Sequence, residues 1–169
     1  MSLYPASPPT LLSGLPEGVA GAKATLKAMA DIAKRYKTDG GMRTLALSIT
    51  RQLPEHDDRA EITALQHFVR DRIRYVRDVE GVETLQTPPY TLQMGAGDCD
   101  DKSILLATLL MAVGYKPQFL AVGINGGFFS HVLAAVRLGT RVIPLETIVP
   151  GAEPGWMPPN VTAVLPWNL

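Results

Sequence analysis

Hydrophobic residues recur every three or four positions through the first half of the chain. This period is that of an amphipathic helix with one face turned to the protein core. It predicts three helices, over residues 22–37, 42–53 and 58–77. The third begins with Asp58-Arg59-Ala60-Glu61, which has the form of a capping box. Residues 79–97 show no sustained period and contain several Gly and Pro residues, so we predict a loop there.

A continuous apolar run over residues 104–113 predicts a buried helix. Its start is marked by Gly97-Asp98-Cys99-Asp100-Asp101, in which Asp98 is a favourable N-cap and the next two Asp residues add negative charge to the first turn. Cys99, the only cysteine, therefore lies at a helix N-terminus. Free amide N–H groups there favour a thiolate, which suits a nucleophile, whereas the flanking carboxylates oppose it.

Beyond Gly114 the helical period gives way to β-compatible residues separated by turn signals. The pattern predicts strands over residues 118–124, 129–138 and 141–148, with Asn125-Gly126-Gly127 as the first turn. These strands would form an antiparallel sheet of about three strands behind the cysteine-bearing helix. The fold class predicted is therefore α+β.

Both ends of the chain are rich in proline. We expect residues 1–20 to form an extended arm, followed by a single domain over residues 21–149. Five prolines in residues 150–169 exclude a helix or a central strand from this tail. Because Trp156 and Trp167 are costly to leave in water, we expect the tail to pack on the domain or on a partner.

Charge and cysteine content exclude several classes of partner. Sixteen basic and sixteen acidic residues cancel, so no global field attracts nucleic acid or an anionic membrane. One cysteine allows no internal disulfide, which fits a reducing compartment. The first nine residues lack a secretion signal, and the longest apolar run is about half of a membrane span. We expect a cytoplasmic protein with no membrane span and no nucleic-acid partner.

A histidine and a glutamate complete a candidate catalytic set with Cys99. A thiol becomes a useful nucleophile when a base removes its proton and a third group orients that base. If the last two predicted strands form a hairpin with Leu138-Gly139 as its two-residue loop, His131 and Glu146 lie directly opposite one another on the same face. The sequence therefore predicts Cys99, His131 and Glu146 as catalytic residues.

Other interpretations of these residues stay open. A lone cysteine is often a small buried hydrophobe, and a lone histidine on a strand is often structural. Asp98, Asp100 and Asp101 carry oxygen ligands suited to a hard cation, although helix capping accounts for the same residues. His67 is expected on a helix surface, and the charged run from Arg70 to Arg74 on a solvated helix face.

Three segments resemble the transglutaminase-like cysteine hydrolases. They are Gly97-Asp98-Cys99-Asp100-Asp101-Lys102-Ser103 with its apolar helix, Ser130-His131-Val132-Leu133-Ala134, and Val142-Ile143-Pro144-Leu145-Glu146-Thr147. The likeness spans residues 62–148 and implies a papain-like α+β fold, with N-terminal helices and the cysteine-bearing helix packed on an antiparallel sheet. It assigns the catalytic roles to Cys99, His131 and Glu146, although the third residue is commonly Asp in that family.

The resemblance also implies a chemistry. Cys99 would attack the carbonyl carbon of an amide in a protein or peptide substrate and form a thioester, and His131 would protonate the leaving amine. Water or a second amine would resolve the thioester, without cofactor or metal. The oxyanion would bind the Cys99 backbone N–H and one side-chain donor, with Gln93 as first choice and Gln86 or Tyr75 as alternatives.

Two further functions use the same fold. Small members of this kind resemble proteins encoded in bacteriophage and prophage structural regions, so both proline-rich ends would dock into a virion and activity would be weak or lost. Acyl transfer from a thioester cofactor, as in arylamine acetyltransferases, uses the same triad, but this chain is short for the domain that binds the cofactor. Among these, hydrolysis of amide bonds is the function we expect, ahead of crosslinking.

Overall fold

The computed structural model describes residues 7–78 and 83–169 of the chain. The first six residues of the predicted arm and the first part of the predicted loop lie outside the described residues. The helices are α1 (Gly18–Tyr36), α2 (Gly40–Thr50), α3 (Asp58–Arg72), α4 (Pro88–Met94) and α5 (Cys99–Ala112). None of the helices in these two ranges is long and apolar enough to cross a membrane.

Helix α5 forms the centre of the molecule. Every residue of α5 except Cys99 and Met111 is buried. It packs against α1, α2, α3 and α4 and against the sheet. A helix that is apolar on all sides belongs in a core, and the long apolar run of the sequence predicts this placement.

Four strands form the main antiparallel sheet. They are β5 (Pro117–Ile124), β6 (Phe129–Leu138), β7 (Arg141–Leu145) and β8 (Val161–Asn168), in the order β7-β6-β5-β8. Helices packed on this sheet make the α+β, papain-like arrangement that the sequence predicts. The prediction of about three strands is one strand short, because β8 lies within the proline-rich tail.

The proline-rich tail supplies an edge strand. Strand β8 pairs with β5 and places Pro166 opposite Leu120. A proline has no N–H to donate, but an edge strand needs to donate along only one side. Trp167 packs against the cluster that contains Phe119. The tail therefore packs on this domain and stabilises it by covering the edge of β5.

Four short strands form two further pairs. Strand β1 (Thr10–Leu12) pairs antiparallel with β3 (Glu83–Leu85), and β2 (Arg74–Tyr75) pairs in parallel with β4 (Ala96–Gly97). Part of the predicted N-terminal arm is thus joined to the domain. The second pair brings the chain leaving α3 alongside the chain entering α5, next to Cys99.

The prediction of a loop over residues 79–97 is wrong in its second half. Helix α4 begins at Pro88 and ends at Met94, and Gly95, with a φ of 60°, follows it as the C-cap. Proline at the first helical position and glycine just beyond the last are both helix signals. At seven residues the helix is too short to show a hydrophobic period, so the periodicity argument could not find it.

Helix α3 also differs from its predicted bounds. Its N-cap is Asp57, which accepts a hydrogen bond from the backbone N–H of Ala60, so the predicted capping box is one residue late. The helix ends at Arg72 instead of residue 77. The fully buried Lys102 donates to the main-chain carbonyl oxygens of Arg70 and Ile73, which fastens this helix end to α5.

Candidate active site

A capping box fixes the start of α5. The Asp98 carboxylate accepts hydrogen bonds from the backbone N–H groups of Asp100 (3.0 Å) and Asp101 (3.1 Å), while Asp101 accepts one from the backbone of Asp98 (3.2 Å). Gly97 is required by close approach, because a Cβ there would lie 2.7 Å from the Cβ of Asp101. The Cys99 side chain is therefore held in one place at the first residue of the helix.

Cys99 is a neutral thiol in this environment. Its Sγ lies 3.4 Å from Oδ1 of Asp100, to which it donates. Burial, followed by the charges of Asp100 and Asp98, raises the pKa of the thiol well above its usual value. The backbone N–H of Val132 acts in the opposite direction. The prediction that the helix N-terminus favours a thiolate is therefore outweighed by the burial and the flanking carboxylates.

The neighbouring carboxyl groups are themselves hard to ionise. Burial raises the pKa of Asp98 to about 6 and that of Asp101 to about 7, and it raises the pKa of Asp100 well above the usual range. Nearby carboxylates add to each shift. Within residues 7–78 and 83–169, no group of three or more His, Cys, Asp or Glu side chains is arranged to hold a metal ion. Capping is the role that the observed hydrogen bonds support for Asp98 and Asp101.

His131 and Glu146 are hydrogen bonded, but not through the register that we predicted. His131 Nε2 lies 2.7 Å from Glu146 Oε2. In the hairpin, Leu138 pairs with Arg141 and Leu145 with Ala134, so the two residues are not directly opposite. The difference is two positions, which keeps side chains on the same face of a sheet.

The turn chemistry explains the wrong register. The two loop residues are Gly139 and Thr140, not Leu138 and Gly139. Gly139 has a φ of 58° and so supplies the positive φ at the first loop position, as in a type II′ turn. Our prediction placed this glycine at the second loop position.

The Glu146 carboxylate is buried and ionised. Its Oε1 accepts hydrogen bonds from the backbone N–H groups of Thr147 and Ile148, each at 2.7 Å. Burial raises the pKa of Glu146, but the hydrogen bonds from His131 and from these two N–H groups outweigh it, so the pKa is lowered. Because an ionised carboxylate only accepts, His131 Nε2 is the donor in this hydrogen bond, which leaves Nδ1 as the ring nitrogen that is not bonded to Glu146.

Side chains of α3 donate hydrogen bonds to the segment that begins at Glu146. The Gln66 side-chain amide donates to the main-chain carbonyl oxygens of Glu146 (2.8 Å) and Ala152 (3.1 Å). Arg70 Nη1 donates to the same Ala152 oxygen at 2.7 Å, and His67 contacts Glu153. The prediction of a solvated face is wrong for Arg70, whose side chain is only 10% exposed. Sequence reasoning missed both Gln66 and Arg70, because their partners lie about eighty residues away.

An open cleft of about 570 Å³ joins the candidate residues. Cys99 and His131 both line it, together with residues of α1, the start of β6, and Tyr75, Arg77 and Asp78. Its acidic lining consists of Asp78, Glu83, Asp98 and Asp100. The cleft therefore gives a substrate access to the thiol and to the histidine at the same time.

The structure separates the oxyanion candidates. Gln93 is exposed on α4 and is not among the residues that line the cleft, and neither is Gln86. Gln93 is the first choice because it lies six residues before Cys99 in the sequence, but α4 places it on the exposed surface. Tyr75 lines the cleft beside Cys99, so it replaces Gln93 as the side-chain candidate.

The sequence profile of the transglutaminase-like superfamily matches residues 43–147, which contain Cys99, His131 and Glu146. This chain belongs to the transglutaminase-like superfamily. A search among curated proteins finds no match.

Two solved structures share the fold of this superfamily member. A protein of Cytophaga hutchinsonii provisionally named a cysteine protease aligns with 81% of this chain, at a TM-score of 0.56 and 15% identity. A provisionally named protease of Parabacteroides distasonis aligns with 72% of it, at a TM-score of 0.57 and 16% identity. This chain spans only 46% and 26% of those two proteins. At such identities the likeness shows the fold and not the activity.

Proposed function

We propose that this protein hydrolyses amide bonds in protein or peptide substrates through a Cys99-His131-Glu146 triad and a thioester intermediate. The observation that carries the proposal is the 2.7 Å hydrogen bond between His131 and the buried Glu146, in a histidine that lines the same cleft as Cys99. Membership of the transglutaminase-like superfamily supports a thiol-dependent hydrolase or acyltransferase.

The first step transfers the thiol proton. Because the pKa of Cys99 is raised, the thiol is protonated at rest, and His131 Nδ1 takes its proton as the sulfur attacks the substrate carbonyl carbon. Glu146 stabilises the imidazolium that forms and keeps the ring oriented. The backbone N–H of Cys99 and the Tyr75 hydroxyl are the donors that we propose for the oxyanion.

The second step releases the amine. The carbon–nitrogen bond breaks as His131 returns its proton to the leaving nitrogen, which leaves an acyl thioester on Cys99. Water, deprotonated by His131, then attacks the thioester carbon. The carbon–sulfur bond breaks, the carboxylic acid product leaves, and His131 returns the proton to the Cys99 sulfur. A second amine in place of water would give crosslinking, which is the same chemistry with a different acceptor.

A different function is favoured by one observation. The raised pKa of Cys99 disfavours a reactive thiolate, as expected of an interaction module that retains the fold with weak or lost activity. A bacteriophage virion is the assembly suggested by the sequence resemblance. The two ends proposed as docking segments also pair within the chain, through Thr10–Leu12 and Val161–Asn168, so a virion contact would use the outer surface of these strands.

Trapping of an acyl-enzyme tests the proposal. The native protein is incubated with p-nitrophenyl acetate, and intact-mass measurement follows acetylation of Cys99. Acetylation that requires His131, and that hydroxylamine reverses, supports the thioester mechanism. Equal acetylation of wild type and His131→Ala would favour the interaction module. Acetyl-coenzyme A serves in parallel, and we expect no acylation from it.

A further inference from the structure

One phenylalanine that lines the cleft, Phe128, is not buried in the protein core. Phe128 and Phe129 are adjacent, and both line the cleft. Phe129 is partly buried and packs against the core cluster that also contacts Cys99. Phe128 is 80% exposed, more than any other large hydrophobic side chain in the described residues. An aromatic ring left in water contributes little to folding, whereas covering it on binding is favourable.

The turn before Phe128 fixes its position. Asn125 and Gly126 both have a positive φ, and the backbone N–H of Gly127 donates to the carbonyl oxygen of Ile124 at 3.0 Å. Strand β8 holds the same turn, because the backbone N–H of Gly126 donates to Thr162 Oγ1 at 3.0 Å. The ring is therefore carried on an anchored backbone, three residues before His131.

Part of the cleft lining is apolar. Pro16 lines it from the segment before α1, Leu26 and Met29 line it from α1, and Val132 lines it from β6. A single exposed apolar residue needs no explanation, but one that lines a cleft together with a candidate nucleophile offers a surface to a ligand.

We propose that Phe128 determines specificity by packing against an aromatic or aliphatic side chain of the peptide substrate, close to the bond that is cleaved. This inference rests on the proposed function, because the occupant it names is the acyl substrate of Cys99. The contact leaves the reacting atoms untouched. The contact favours substrates whose side chain buries more apolar surface against the Phe128 ring.

Binding to an unreactive variant tests the contact without catalysis. In a Cys99→Ala background, we titrate acetylated glycine peptide amides in which one position at a time carries phenylalanine. The best phenylalanine peptide should bind about tenfold more tightly than the all-glycine peptide, and Phe128→Ala should reduce that advantage to about twofold. Since Phe128 is exposed, its replacement should leave the fold intact.

A matched control and a separate rate distinguish the two proposals. Val164→Ala removes another exposed apolar side chain, on β8 and outside the cleft, and should preserve the preference for phenylalanine. A preference that survives Phe128→Ala, or no preference in the parent variant, overturns the inference.

The rate at which iodoacetamide alkylates Cys99 tests the catalytic site itself. Alkylation independent of His131 alongside a Phe128-dependent preference would overturn the hydrolase proposal and uphold the peptide contact.

Discussion

The side-chain amide of Gln66 donates to the main-chain carbonyl oxygen of Glu146 at 2.8 Å, from the fully buried face of α3. The same amide also donates to the main-chain carbonyl oxygen of Ala152, so one side chain is hydrogen bonded to both ends of the segment 146–152. In that segment the backbone N–H groups of Thr147 and Ile148 converge on the Glu146 carboxylate. The glutamate that is hydrogen bonded to His131 is thus itself held by a helix about eighty residues earlier in the chain.

Gln66→Met should weaken both the fold and the site. The substitution keeps the side-chain volume but leaves two buried carbonyl oxygens without this donor, which should lower the free energy of unfolding by about 2 to 4 kcal/mol. Chemical denaturation measures this change. Alkylation of Cys99 should also lose its dependence on His131. Thr108→Val, which removes a buried hydrogen bond within α5, should lower stability without changing that dependence.

Gly97→Ala tests the close approach between Gly97 and Asp101 at the start of α5. The added Cβ would lie 2.7 Å from the Cβ of Asp101, so the start of α5 must shift, at a cost of about 1 to 3 kcal/mol in stability. Gly40→Ala is the control, because a Cβ there has no atom within 4 Å. Equal melting temperatures for the two variants would show that the capping box does not need glycine at position 97.

Asp100→Asn should activate the thiol. The Asp100 side chain accepts the S–H of Cys99 and, once ionised, raises the pKa of the thiol, so a neutral amide should lower that pKa and increase the thiolate fraction at alkaline pH, where Asp100 is ionised. At that alkaline pH we expect iodoacetamide to alkylate Cys99 up to about tenfold faster in Asp100→Asn than in the wild type. Asp31→Asn, on the exposed surface of α1, should have no effect. A slower reaction of Asp100→Asn would show that Asp100 assists the thiol.

Asp98→Asn should change the pH dependence of stability. The pKa of Asp98 rises from 3.8 to about 6 on folding, so the folded state binds more protons between these values and stability falls as pH rises through them. Asparagine caps helices as well as aspartate does, so the substitution removes the charge and keeps the cap. Denaturation at pH 4 and pH 8 should show a smaller loss of stability in Asp98→Asn than in wild type. An unchanged loss would assign the pH dependence to Asp101 and other groups.

Local signals in the sequence predicted the parts of the site that depend on local structure. The Asp98 cap and the apolar run after Cys99 identify the start and the burial of α5, and Phe129–Leu138 is the strand that the pattern predicts. The predicted register of the hairpin is wrong because the sequence allows two placements of its turn. Gly139 suits either loop position by composition, and only the folded hairpin decides between them.

Contacts between segments that are distant in the chain could not be predicted from the sequence. Nothing near Gln66 indicates that it holds the chain at Glu146, and nothing near Lys102 indicates that its ammonium group is buried at the end of α3. The proline-rich tail joins the sheet because β5 offers it an edge, which is a property of the assembled fold. Long-range packing therefore sets the position of Glu146, whereas local capping sets that of Cys99.

The most direct test of the central claim is the rate at which iodoacetamide alkylates Cys99 near neutral pH, followed by intact mass. If His131 is the base for this thiol, alkylation of the wild type should be at least about tenfold faster than that of His131→Ala. His67→Ala, on α3 and outside the cleft, should match the wild type. Slow alkylation at the same rate in all three proteins would contradict the account and identify Cys99 as a structural residue.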